Sequence, residues 1–169
     1  MIQHQFIFHF SPLVHNPLPD PHEVCLIVKD LEKGTRPDHE PSKRHFLDLL
    51  KAKGVESVSE VFPLRELKVE YKQFEAKTAL FHRFDKFLVD DRILRLVPKF
   101  LGKQMYKRKR FPVPVKLGAG DLKAEIVRAI RTAVLPLNHH GTCSMINVGN
   151  ASMKSAHVAD NVLGRYSLE

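Results

Sequence analysis

Seven lysines and arginines and no acidic residue fall between Lys99 and Lys116, and four of them, Lys107, Arg108, Lys109 and Arg110, are consecutive. Adjacent like charges repel one another and stay hydrated, so the run is open to a polyanion whose phosphates it would neutralise. The same residues also fit a solvated loop or a nuclear-localisation patch. Tyr106 and Phe111 could stack on a base or anchor the two ends of the loop. Asp85, Asp90 and Asp91 invite acid–base or metal chemistry, because ligands bind at the C-terminal edge of a doubly wound sheet. Capping of the helix that follows explains Asp90 and Asp91 more cheaply. His139, His140 and Cys143 carry zinc-ligand chemistry, but adjacent histidines point in different directions and a fourth ligand is not evident. Neither a GxGxxG nor a P-loop pattern occurs, so the glycine-rich cradle for a nucleotide phosphate is absent. The LGAGD turn at 117–121 reads as a hinge. No metal and no cofactor is expected.

The elements that position these residues follow from periodicity. Val24–Val28 is a continuous apolar run, the pattern of a strand buried on both faces of a parallel sheet. Ser42, after Pro41, opens an amphipathic helix with Phe46, Leu47, Leu49 and Leu50 as its stripe, and Gly54 stands where a left-handed C-cap belongs. A second strand is expected over Ser57–Phe62, a helix from Leu64 to about His82, and a third strand over Phe84–Val89. Glu66 with Glu70 and Lys68 with Lys72 are like-charge i,i+4 pairs, so packing rather than surface pairing must hold that helix. A short helix over Arg92–Leu101 and a strand over Phe111–Leu117 follow. Asp121 is placed to N-cap a helix running to about Val134, and a last strand, Cys143–Val148, leads through Gly149–Asn150 to a helix over Ser155–Leu163. Strands alternating with helices imply right-handed crossovers and a mainly parallel sheet, an α/β architecture with a Rossmann-like three-layer domain. Residues 1–19, with Phe6, Phe8 and Phe10 and then four prolines, read as an edge strand at most and otherwise irregular.

Composition narrows the class. The chain is 43% hydrophobic and 27% charged, which excludes a disordered tail, and 27 Lys and Arg against 19 Asp and Glu give +8, which favours polyanionic partners. Two cysteines, Cys25 and Cys143, are too few for a disulfide framework and are expected to be reduced and buried. The N-terminal MIQHQFIFHF has no basic n-region, and no stretch approaches the roughly 20 apolar residues of a membrane span, so an intracellular protein without a membrane partner is expected.

FDKFLVDDRI, then PKFLGKQMYKRKRFPVPV, then INVGNASM and a helix together resemble the ribosomal protein L1 family. The matching features are Phe84-Asp85, the acidic turn Asp90-Asp91, Leu101-Gly102-Lys103, the basic stretch Lys107–Arg110 and the Pro-rich strand Phe111–Val115. EYKQFEAK at 70–77 brings the resemblance closer to the family's nucleolar branch. It implies a Rossmann-like domain, about residues 20–118, inserted into a split α+β RNA-facing domain of which 119–169 is part. That second domain is expected to be incomplete, a truncated form. The resemblance further implies a non-enzymatic protein of ribosome biogenesis in the nucleus and nucleolus. It would bind structured rRNA weakly through Lys103, Lys107, Arg108, Lys109 and Arg110 and through a turn carrying Asn147, Gly149, Asn150, Ser152 and Met153. Asn150 stands where bacterial members carry lysine. The rival expectation is a nucleolar protein-interaction module that has lost direct RNA binding.

Overall fold

The computed structural model describes residues 7–31, 39–102, 105, 109–137 and 143–164. Internal contacts divide the chain into two compact units, Pro21–Ile130 and, from both sides of it, Met1–Asp20 with Arg131–Glu169.

The larger unit is built on a four-stranded parallel sheet of β2 (Val24–Val28), β3 (Glu60–Pro63), β4 (Lys86–Asp90) and β5 (Val113–Val115) in the spatial order β3-β2-β4-β5. All five residues of β2 are buried, as a central strand between β3 and β4 requires. Proline is tolerated in β5 and at the end of β3 because both are edge strands. The α/β class expected from the strand–helix alternation holds.

Helix α1 (Glu40–Ala52) has Pro41 in its first turn and buries Ser42, Phe46 and Leu50, one residue per turn on a single face. It ends at Gly54, whose φ of +63° lets the Gly54 and Val55 amides turn back onto the Lys51 and Leu50 carbonyls. The single helix expected from Leu64 to His82 is two, α2 (Leu64–Val69) and α3 (Phe74–Arg83), with Gln73 extended before the second. The break follows Glu70, whose amide still bonds the Glu66 carbonyl at 2.9 Å, and there the Tyr71 ring packs edge-on to Phe62 at 5.7 Å. The helix expected over Arg92–Leu101 is likewise divided, into a 3-10 turn at Asp91–Ile93 and α4 (Val97–Leu101). Asp90 caps that turn by accepting from the Arg92 amide at 3.1 Å. Helix α5 (Leu122–Arg131) begins at Asp121, which accepts from the Ala124 amide at 3.1 Å.

The core beneath these helices is aromatic. Phe81 lies 4.9 Å from Phe87 between ring centroids, and Phe84 packs edge-on to Phe62 at 5.7 Å. Lys43 ties α1 to β3 and α2 through Glu60 and Glu66, at 3.5 and 3.3 Å. Burial works against the Lys43 ammonium, but Glu66 and Glu60 outweigh it and raise its pKa. Cys25 is fully buried, and that burial keeps its thiol protonated. Cys143 is exposed, contrary to expectation, because the run 143–148 is not a strand and pairs with no sheet of the described residues.

Lys86, partly buried at the start of β4, has its pKa pushed down by burial from 10.5 to about 8. Between those values the unfolded chain holds the proton more tightly than the folded one. Stability from this residue is therefore complete above pH 10.5 and lost as pH falls through about 8. Lys86→Met is expected to flatten the rise and to stabilise the protein at pH 7 by about 1 to 2 kcal/mol. Urea denaturation of both proteins at pH 7 and pH 9.5 checks it, since equal pH slopes would show that Lys86 is not the source.

The smaller unit contains β1 (Ile7–Pro12) and β6 (Thr132–Leu137), an antiparallel pair in register from Ile7 opposite Leu137 to Pro12 opposite Thr132, and helix α6 (Ser155–Leu163). The N-terminal segment thus holds a strand, Ile7–Pro12, and then runs without helix or sheet to β2, and the helix expected to reach Val134 stops at Arg131 because the next residues pair with β1. The division between units accordingly falls at 130/131 rather than at 118/119.

Candidate nucleic-acid interface

The expected interface residues fall into two groups, one in each compact unit. Of the basic run in the larger unit, Lys103, Lys107 and Arg108 lie outside the described residues, as does Tyr106. Gly102 closes α4 with φ of +66° and ψ of −153°, a combination open essentially to glycine alone, and its amide donates to the Pro98 carbonyl at 2.9 Å. Lys109 is exposed, adopts φ of +53°, and makes no ion pair with a described residue. Its charge is available to a phosphate.

Arg110 is not. Its guanidinium donates to the Phe81 carbonyl at 2.6 Å, to the Phe84 carbonyl, and to Asp85 Oδ1 at 3.2 Å. Asp85 in turn accepts from the Glu23 amide at 3.3 Å. One planar fork of donors thus gathers the end of α3 and the entrances to β4 and β2, which corrects the reading of Arg110 as a phosphate contact. Phe111 is buried, so of its two candidate roles it takes the anchoring one. Asp85 and Asp90 are committed to Arg110 and to the Arg92 amide, which accounts for them without metal chemistry. His139 and His140 lie outside the described residues.

The second group is a turn held by its own side chains. Asn147 Oδ1 accepts from the Gly149 amide at 3.3 Å, and Asn150 Oδ1 accepts from the Ser152 amide at 2.9 Å and from its hydroxyl at 2.7 Å. Such Asx turns fix a backbone that has neither helix nor sheet to support it. Asn150 Nδ2 also donates to the Pro17 carbonyl at 3.4 Å, so this candidate contact is tied to the segment after β1. A Cβ on Gly149 would approach Met153 Sδ to 3.1 Å and Val158 Cγ2 to 3.3 Å, so the turn lies close on α6 there. Asn147 and Ser152 remain exposed, and so does Lys154, the cation immediately after the turn.

The turn rests on a residue that sequence reasoning missed. Asn161 of α6 is 1% exposed; its Oδ1 accepts from the His15 amide at 2.8 Å, and its Nδ2 donates to the carbonyls of His15 at 3.2 Å and Val148 at 2.8 Å. Beside it His15 stacks on His157 with centroids 4.1 Å apart and bonds Asp160 Oδ2 at 3.1 Å. One asparagine within a helix carries no pattern that distinguishes it from a solvent-facing one.

The arrangement supplies a cation in a left-handed turn on one unit and a rigid, mostly neutral polar turn on the other. The family model described as Ribosomal protein L1p/L10e family matches residues 9–165. The chain is 39% identical over 152 residues to Ribosomal L1 domain-containing protein 1 of Mus musculus, covering 90% of this chain and 33% of that protein. It is 35% identical over 156 residues to a putative ribosome biogenesis protein of Schizosaccharomyces pombe, covering 88% and 38%. It is also similar, at 25% identity over 120 residues, to Large ribosomal subunit protein uL1 of Neurospora crassa, covering 71% and 52%. The chain spans between a third and two fifths of the length of the first two of these relatives, 33% and 38%.

Proposed function

The chain belongs to the ribosomal protein L1p/L10e family, and from that premise we propose that it is a non-enzymatic, RNA-associated protein of ribosome biogenesis, acting in the nucleus and nucleolus on structured rRNA. Lys103, Lys107, Arg108 and Lys109 contact phosphates, and the turn with Asn147, Gly149, Asn150, Ser152 and Met153 approaches the RNA beside Lys154. The observation that carries this reading is Lys109, exposed and without an ion pair among the described residues, in a basic run of a chain whose net charge is +8. The ribosomal and ribosome-biogenesis names of the relatives support the setting.

Four phosphate contacts of this kind make binding steeply salt-dependent, with roughly a hundredfold loss of affinity between 50 and 200 mM monovalent salt. Fluorescence anisotropy with a structured rRNA fragment is expected to show that loss. Neutralising Lys103, Lys107, Arg108 and Lys109 together is expected to reduce the slope of log affinity against log salt by about one per residue that touches a phosphate. No binding at 50 mM salt would sink the reading and leave protein interaction as the chain's role.

A further inference from the structure

The strand order β3-β2-β4-β5 reverses direction between β2 and β4, since the chain passes from β2 to β3 on one side and then crosses to β4 on the other. Beyond the C-terminal ends of two such strands their loops diverge and leave a crevice, the place where doubly wound sheets take ligands. Here a cavity of about 300 Å³ opens at that point, lined from the ends of β2, β4 and β5 and from α1. We propose that it binds a phosphate monoester of mononucleotide size, at a site separate from the residues assigned to rRNA above.

Four observations lead to that class of ligand. Lys29 and Arg92, following β2 and β4, both line the crevice, both are exposed, and neither side chain makes an ion pair with a described residue. Two uncommitted cations across one opening suit a dianionic phosphate. Asp30 and Asp90, on the same walls, each accept a hydrogen bond from a backbone amide, that of Arg65 at 3.2 Å and that of Arg92 at 3.1 Å. Carboxylates fixed in this way retain lone pairs for hydroxyl donors such as those of a ribose. Leu49 and Leu117, both part-exposed, supply an aliphatic surface for a flat apolar moiety. The volume lies at the small end of ligand sites, enough for one nucleotide and not for a dinucleotide. Without a glycine-rich amide cradle the phosphate is held by side chains alone, so affinity is expected to be modest and strongly dependent on those two cations.

The full chain, labelled with 15N, is titrated with AMP, adenosine and inorganic phosphate. AMP is expected to give saturable shifts of the amides at 29–31, 90–92 and 117–118, with adenosine at least tenfold weaker. Lys29→Ala with Arg92→Ala is expected to weaken AMP at least tenfold, and Lys29→Glu alone to do the same. Because both positions are exposed, these variants retain the fold, which their unchanged spectra elsewhere verify. No saturable shift at several millimolar AMP, equal shifts from adenosine, or an unchanged affinity in the double variant would overturn the proposal. A short RNA with and without a 5′-phosphate separates the two sources of the same chemistry. Preference for the phosphorylated strand identifies an RNA end, and indifference in a chain that binds AMP identifies the free nucleotide. Neutralising Lys103, Lys107, Arg108 and Lys109 is expected to leave AMP binding intact, so failure of the rRNA reading and failure of this one are told apart.

Discussion

Replacing Asn161 by leucine is expected to cost the smaller unit about 3 kcal/mol, because three part-buried backbone groups lose their partners at once and each costs about 1 kcal/mol, the low end of the range for a stranded group that water can reach. The His15 amide and carbonyl and the Val148 carbonyl are those groups. A two-stranded sheet is marginal by itself, so β1 and β6 depend on what else fastens the segments around them. Asn161 joins the residue stretch after β1, the stretch before the 149–153 turn, and α6 through one side chain. Hydrogen exchange is expected to show protection falling across 7–15, 132–137 and 155–163 while β2 and β4 keep theirs. Asn161→Asp, which retains the acceptor for the His15 amide and loses both donors, is expected to fall between wild type and leucine. Equal loss of protection in both units, or none, would mean that Asn161 is not the fastening.

Arg110→Ala is expected to destabilise the larger unit by about 3 kcal/mol, since hydrogen bonds to a charged group contribute about 1.5 to 3 kcal/mol and three acceptors are left behind. Asp85 and Arg110 are each about 30% exposed, so the ion pair itself adds little and most of the cost lies in the Phe81 and Phe84 carbonyls. Arg110→Lys is expected to recover only part of the loss, because one ammonium cannot reproduce a planar fork. Lys109→Ala, one residue earlier, is expected to leave the urea midpoint unchanged and to weaken rRNA binding at low salt. A pair of variants that both alter binding and both spare stability would restore Arg110 to the interface. This contrast separates two neighbours that are indistinguishable in the run Lys107–Arg110.

How far the fold could be read from the residues depended on whether a signal was local. Val24–Val28 announced a central strand because both its faces are apolar, and Ser155–Leu163 appeared as a helix with the bounds it has. Gly54 and Asp121 announced their caps because a left-handed φ and a free helix amide each call for a particular residue type. The start of β6, Thr132–Val134, reads as the end of a helix because its partner, Ile7–Pro12, lies at the other end of the sequence, and pairing across that distance leaves no local trace. The break at 70–73 is similarly hidden, because the like-charge pairs there fit a packed continuous helix equally well. The family was legible from FDKFLVDDRI, PKFLGKQMYKRKRFPVPV and INVGNASM, whose combination agrees with the family match over 9–165. At the candidate interface, charge was visible in the sequence and its direction was not. Only geometry distinguishes a cation facing water from one facing two carbonyls, and only geometry brings Lys29 and Arg92 to one crevice.

The β1–β6 register also fixes an order of events during synthesis. Pro12 meets Thr132 and Ile7 meets Leu137, so β1 leaves the ribosome and waits for a partner that is made more than a hundred residues later. At about 5 to 20 residues per second that wait lasts roughly 6 to 24 s, long compared with the folding of the intervening α/β unit. Folding of that unit first would shorten the gap between the waiting strands and lower the entropy of closing it. Until then Ile7–Pro12 is an unpaired strand with Phe8 and Phe10, a segment that another nascent chain or a chaperone can capture.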